Sequence, residues 1–281
     1  MKKGLVLEGG AMRGMFTAGV LDVLMENNID FDGVVGVSAG AAFGCSFISK
    51  QIGRALRYNL KFCKDKRYCS MHSLVKTGNI FGAEFCYHEI PDKLDIYDVE
   101  TAKNNRAEFY VVCTDIETGE PVYKKLSEFD YNDLEWVRAS ASMPLVSRIV
   151  ELDGKKLLDG GISDSIPLKF FESKGYDKNV VVLTQPESYV KSKNSTMPII
   201  KMKMRKYPNM IKAIQTRHDM YNAQTAYVKE QEKKGNTFVI RPESSLEIGR
   251  IEHDSDNLKR VYNLGRENME KNLENLKKFL Q

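Results

Sequence analysis

Twice within the first fifty residues a short apolar run passes through a turn of small residues into a helix-spaced segment. This doubled pattern restricts the fold more than any other feature of the chain. Residues 4–8 (GLVLE) read as a buried strand ending at Gly9-Gly10, after which Met15, Ala18, Gly19, Val20, Val23 and Leu24 recur at helical spacing up to Glu26. Residues 34–37 (VVGV) form a second apolar run, and residues 38–48 are rich in small, helix-compatible residues. Two strand–turn–helix units in succession predict an α/β chain built on a mainly parallel central sheet flanked by helices.

The rest of the chain continues the alternation. Residues 109–115 (FYVVCTD) and 122–126 flank Gly119-Glu120-Pro121 and read as a hairpin. Residues 134–142 are helical in pattern and stop before Pro144. A second hairpin is expected where residues 146–152 and 156–158 flank Asp153-Gly154, a strong two-residue turn signal. A helix at 168–174, a buried strand at 180–184, a long helix at 209–234 closed by Gly235, a short strand at 238–241 and a charged amphipathic helix at 258–280 follow. With no repeats and no linker, one domain over residues 1–281 is expected. Its core lies at about 4–185, and residues from about 186 to 281 form a helical and strand extension.

The composition, 42% hydrophobic and 28% charged, is that of a folded globular protein. Forty-two basic against 38 acidic residues give a net charge of +4, too small to argue for nucleic acid. The basic residues do cluster, at 54–67 and 191–234, where they could meet phosphate headgroups, nucleic acid or only water; peripheral contact with a membrane surface is an expectation. The longest apolar stretch, residues 34–48, is interrupted by Ser38, Gly40 and Gly44 and falls short of the roughly 20 residues a span needs. Five cysteines without a CxxC pair, and no signal-peptide pattern at the N-terminus, predict a cytoplasmic protein with reduced thiols.

Three short motifs carry the chemistry. Gly36-Val37-Ser38-Ala39-Gly40 fits G-x-S-x-G, in which a serine on a tight strand-to-helix turn needs tiny neighbours so that strand and helix can pass closely. The turn exposes the hydroxyl, and the helix N-terminus behind it favours developing negative charge. By chance the pattern occurs in roughly one chain in ten of this length, so its position directly after an apolar strand matters more than the match. Gly9-Gly10-Ala11-Met12-Arg13-Gly14 can present backbone N–H groups to an anion or an oxyanion. As a dinucleotide-binding G-x-G-x-x-G it fails, because Ala11 stands where the middle glycine is required. Asp159-Gly160-Gly161 alone is a turn with a capping aspartate; beside the other two motifs it supplies the best candidate base. Of the four histidines, His218 and His253 have the chain order of a Ser-Asp-His triad, but His218 sits within the long helical segment and His253 beside no strand, so a Ser-Asp pair is the better reading. No metal-ligand cluster is visible, and no cofactor is expected.

The ordered motifs EGGAMRG, GVSAG and DGG, with RASASMPLVSR before LLDGG and SIPL after it, resemble the patatin-like phospholipase family, and the likeness extends through RKYPNMIKAIQTRHDMYNAQ and GNTFVIRP. The resemblance implies a three-layer fold and hydrolysis of lipid esters with Ser38 as nucleophile, Asp159 as base and residues 9–14 (Gly9, Gly10, Ala11, Met12, Arg13, Gly14) as oxyanion hole. Neither metal nor cofactor is implied, and the partner is a lipid ester. Ala11 replaces the third glycine usual in the family, which leaves an N–H but alters the loop. The same residues would also serve an acyltransferase, a thioesterase or a silent lipid-binding module.

Overall fold

The computed structural model describes residues 1–281. In chain order the elements are β1 (Lys2–Leu7), a 3₁₀ turn (Ala11–Arg13), α1 (Gly14–Glu26), β2 (Gly33–Val37), α2 (Ala39–Ile48), α3 (Arg54–Phe62), α4 (Met71–Thr77), a π-helical segment (Phe85–Leu94), α5 (Val99–Asn104), β3 (Glu108–Asp115), β4 (Pro121–Leu126) and α6 (Tyr131–Ser140). β5 (Val150–Leu152), β6 (Lys155–Asp159), α7 (Leu168–Ser173), β7 (Tyr176–Val182), α8 (Met197–Lys203), α9 (Pro208–Lys233), β8 (Thr237–Ile240) and α10 (Ser255–Leu280) complete the chain.

All eight strands join one sheet, in the order β5-β6-β3-β2-β1-β7-β8, with β4 also paired to β3. From β3 to β8 neighbouring strands are parallel, in a register that puts Val34 between Leu5 and Phe109 and Val180 between Leu5 and Phe238; β4, β5 and β6 run antiparallel. Strand side chains alternate between faces. Leu5, Leu7, Val34, Val180 and Val182 point into a core shared with α1, α2 and α10. Val6, Val35, Val37 and Val181 meet Phe171 of α7 and Tyr221 and Val228 of α9 on the other face. The chain is therefore a mixed α/β fold with a central sheet between helical layers.

The expected strand at 146–152 shrinks to β5, whereas the Asp153-Gly154 turn forms as read, both residues having φ near +50° to +75°. The strand at 180–184 begins earlier, at Tyr176. Residues from 186 onward are woven into the main body rather than appended to it: β8 extends the sheet beside β7, and α10 lies along α1. That crossing is close. A Cβ at Gly19 would stand 2.1 Å from the Tyr262 carbonyl oxygen, and one at Gly265 2.0 Å from the Phe16 carbonyl oxygen. Residues 52–106, which carry no sequence motif, supply α3, α4, the π-helical segment and α5, and no helix is long and apolar enough to cross a membrane.

Candidate active site

Parallel strands deliver their C-terminal ends to one edge, and in open α/β sheets ligand sites lie there. Glu8 follows β1, Ser38 follows β2, and Thr184 stands just beyond β7. Ser38 adopts φ +55° and ψ −120°, a strained conformation for a residue with a side chain. Its glycine neighbours are sterically required. A Cβ at Gly36 would lie 2.5 Å from the Ala41 Cα, and one at Gly40 2.4 Å from the Leu7 carbonyl oxygen. The turn is held from a distance: the Ser38 N–H donates to Ser140 Oγ at 2.8 Å, and that hydroxyl donates to the Val112 carbonyl at 2.6 Å. Ser140 is fully buried.

The 9–14 loop wraps over this turn. Gly9 packs on Val37 and Ser38, and Gly14 on Phe43 and Ala39, with no space for a Cβ at either. Ala11 takes φ +49°, so the residue that replaces a glycine carries left-handed strain. Arg13 N–H closes the turn onto the Gly10 carbonyl at 3.2 Å, while the N–H groups of Gly10, Ala11 and Met12 donate to no backbone carbonyl. Three free amides thus stand at the mouth of α1, whose N-terminus adds partial positive charge.

Asp159 ends β6, and its Oδ1 accepts the Gly161 N–H at 2.7 Å while its own N–H donates to the Ser142 carbonyl at 2.8 Å. Gly160 leaves no space for a side chain, since a Cβ there would stand 2.0 Å from the Val112 carbonyl oxygen. Burial raises the Asp159 pKa above the usual carboxylate value; the Arg217 guanidinium, the Gly161 N–H, the Ser38 hydroxyl and Arg250 all oppose that rise. The two side chains singled out from the sequence, 121 positions apart, line one cavity. None of the four histidines lines either cavity at Ser38; His218 caps back onto the Gln215 carbonyl and His253 onto that of Cys63.

Two cavities meet at Ser38. One, of about 110 Å³, is walled almost wholly by apolar side chains from α2, α3, the π-helical segment and α6, among them Phe43, Tyr58, Ile90 and Val137. The other, of about 520 Å³, is within the size range of ligand sites and is polar and cationic, with Arg13, Lys191, Arg217 and Arg250 around Ser38 and Asp159. Four participants were not singled out from the sequence. Glu8 is buried and accepts hydrogen bonds from the Thr184 N–H at 2.5 Å and the Tyr221 hydroxyl at 2.7 Å; burial raises its pKa against these bonds. Arg217 donates to the Gly161 carbonyl, Lys191 lines the cavity, and Ser140 anchors the Ser38 turn. Of the basic stretch at 54–67, Arg54 and Arg57 are bound to Asp95 and Arg67 to Asp65 and Glu89, so half of its cations are neutralised within the protein. No three His, Cys, Asp or Glu side chains converge as metal ligands do.

Comparison with known proteins agrees with this architecture. The model of the patatin-like phospholipase family matches residues 5–171, more than half of the chain, and a domain of unknown function (DUF6363) matches residues 207–281. The chain belongs to the patatin-like phospholipase family. Relatives include the uncharacterized protein YjjU of Escherichia coli, 32% identical over 65% of this chain and 52% of that protein. The uncharacterized NTE family protein Rv1063c of Mycobacterium tuberculosis is 25% identical over 63% and 48% of the respective chains. Lysophospholipase NTE1 of Coccidioides immitis is 28% identical over 62% of this chain and 11% of its own length. The chain thus spans about half of the two bacterial relatives and a small part of the fungal one. Among solved structures, VipD from Legionella pneumophila aligns over 96% of this chain and 67% of its own with a TM-score of 0.44 and 11% identity.

Proposed function

We propose that the chain hydrolyses the carboxylic ester of a lipid, with Ser38 as nucleophile, Asp159 as general base and the amides of the 9–14 loop as oxyanion hole. The observation that carries this reading is the meeting of an apolar cavity and a polar cavity at a strained serine beside a buried carboxylate. The lysophospholipase among the relatives supports the same reaction class.

Asp159 takes the Ser38 proton as Oγ attacks the ester carbonyl. The carbonyl oxygen, now an oxyanion, accepts hydrogen bonds from the free loop amides; one such donor is worth about 3 kcal/mol. Collapse expels the alcohol, which takes the proton from Asp159. Water then attacks the acyl-serine, Asp159 receives its proton, and the fatty acid leaves with Ser38 reprotonated. A solvated carboxylate, with pKa near 4, is a weak base for a hydroxyl. Burial strengthens it, while Arg217 and the Gly161 N–H keep the ionised form accessible.

The exposed residues Asn194, Ser195, Thr196 and Arg250 make one part of the cavity mouth polar, and another part is apolar. Met71, Leu145 and Ile251 line it and are 65%, 39% and 40% exposed, and Val75, one turn along α4 from Met71, is 84% exposed. This rim is the surface through which the protein meets lipid. Hydrolysis of a short-chain p-nitrophenyl ester and labelling by a fluorophosphonate test the reaction: both should vanish in Ser38→Ala, and turnover should fall at least 10³-fold in Asp159→Asn. Undiminished turnover in both variants refutes the proposal.

A further inference from the structure

The apolar cavity that opens at Ser38 runs along α2, whose Ala39, Ala42, Phe43 and Cys45 line it in turn. At about 1.5 Å of helical rise per residue, Cys45 stands about 10 Å beyond Ser38. At that level the wall contains Arg54, from the start of α3, the one charged residue among those lining the cavity. Its guanidinium lies 5.3 Å from the centroid of the Tyr97 ring, and the Tyr97 hydroxyl donates to the Cys45 carbonyl at 3.2 Å. Arg54 is buried, and its partners do not use up its donors. Nη2 donates to the Asp95 carbonyl at 2.7 Å, but Nε, 3.4 Å from the Asp95 carboxylate, is buried with no hydrogen-bond partner, and Nη1 has no acceptor in the protein. Arg57 occupies both oxygens of that carboxylate, at 2.7 and 2.8 Å. The hydroxyls of Tyr58 and Tyr87 line the same cavity and make no hydrogen bond within the protein, and the Arg54 guanidinium is 5.4 Å from the Tyr58 ring centroid. A hydrocarbon chain with a methyl end would seal these donors from water and give them nothing in return, which is costly.

We propose that Arg54 and the Tyr58 hydroxyl form a subsite for the far end of the acyl chain, which selects a medium-length acyl group ending in a carboxylate. The inference rests on the hydrolase reading and adds the class of acyl group. A guanidinium fork matches the two oxygens of a carboxylate, and the Tyr58 hydroxyl supplies a further donor beside it. The length follows from the helix: an extended chain advances about 1.2 Å per bond, so about 10 Å corresponds to an acyl group of about eight carbons with its ester carbonyl at Ser38. The methylenes between the two ends lie against Ala42, Phe43 and the other apolar side chains of the wall.

The test compares p-nitrophenyl octanoate with the mono-p-nitrophenyl ester of suberic acid, which has the same chain length but ends in a carboxylate, at neutral pH on wild type and on Arg54→Met. The readout is the ratio of kcat/KM values, which a general loss of fold or rate does not change. Wild type should favour the carboxylate-ended ester at least tenfold, the worth of a hydrogen bond to a charged group, and Arg54→Met should reverse the preference. Arg54→Lys should keep part of it. Tyr58→Phe, which retains the ring beside Arg54, should lower it, and that variant decides if Arg54→Met does not fold. Half-esters of adipic and dodecanedioic acid, shorter and longer than suberic, should lose the advantage over their uncharged counterparts. Equal kcat/KM on the two octanoyl-length esters overturns the subsite. A preference that holds at every length, or that stands unmoved in Arg54→Met, does so too, because the cations of the larger cavity then draw the carboxylate. Inhibition by free octanoate that Arg54→Met relieves, without preference between the esters, overturns it as well, since the chain then enters carboxylate first. Fluorophosphonate labelling of Ser38 separates the two proposals. Labelling with no preference for the carboxylate end removes the subsite alone, whereas absent labelling and absent turnover of every ester remove the hydrolase reading and the subsite with it.

Discussion

Replacing Ser140 by alanine removes the bridge between the Ser38 backbone and β3. In the wild type the Ser140 hydroxyl accepts the Ser38 N–H at 2.8 Å and donates to the Val112 carbonyl at 2.6 Å, in a position with no access to water. Leaving the buried Ser38 N–H unpaired costs about 1–3 kcal/mol, and losing the bond to Val112 adds about 0.5–1.5 kcal/mol. Together these predict a loss of about 1.5–4.5 kcal/mol, read as a lower urea midpoint at constant slope. The same change acts on rate. Ser38 holds its backbone strain, of order 1–3 kcal/mol, only while its surroundings oppose relaxation, and a hydroxyl displaced by about 1 Å loses on the order of 10²-fold in kcat. Ser142→Ala is the control. Its hydroxyl returns to the Arg138 carbonyl at the end of α6, and its loss should cost about 0.5–1.5 kcal/mol with little change in kcat. A Ser140→Ala protein with wild-type midpoint and wild-type kcat would refute the reasoning, because the turn would then support itself.

Three further outcomes are expected. Asp159 must be ionised to accept a proton, so kcat/KM rises with pH through its pKa; burial sets that rise above the ordinary carboxylate range, and Arg217→Gln, which removes an opposing charge, moves it to still higher pH while Arg217→Lys restores it, as pH profiles on a neutral ester will show. Ala11→Gly exchanges left-handed strain of about 1–2 kcal/mol for a chain-entropy cost of about 0.5–1 kcal/mol, so stability should stay level or rise by up to about 1.5 kcal/mol, read as an unchanged or higher urea midpoint, whereas Ala11→Val should lower the midpoint. Val75→Glu on the exposed rim should reduce co-sedimentation with anionic vesicles without altering hydrolysis of a soluble ester, and unchanged sedimentation would remove α4 from the contact face.

The parallel half of the sheet was legible because its inner strands are buried on both faces along most of their length and so read as apolar runs, as in residues 34–37 and 180–182. The glycines of GVSAG and DGG were legible for a steric reason that the structure makes explicit: at Gly36, Gly40 and Gly160 a Cβ would collide with backbone. Other parts were hidden. The apolar residues of 52–106 point into a cavity from short helices and a π-helical segment containing Pro91, so they show no extended period. Glu8 looks like the polar end of a strand, and nothing local announces its partners Thr184 and Tyr221, 176 and 213 positions away. Arg217 and Lys191 lie in a basic stretch, and charge on a helix normally faces solvent. Only the return of α9 across the end of the sheet turns Arg217 toward Asp159. The contact of Ser140 with Ser38 spans 102 positions and leaves no trace in spacing.

The close approach of α1 and α10 has a consequence for how this architecture can vary. Gly19 and Gly265 let two backbones touch, and α1 begins at Gly14, the last residue of the amide-bearing loop. A longer side chain at either glycine would lift α10 and tilt α1 with it, and the displacement would arrive at the loop amides. Residues matched by two separate family models are thus mechanically one piece. Grafting the C-terminal helix of a relative onto this chain, or the reverse, will succeed only where both small residues travel together.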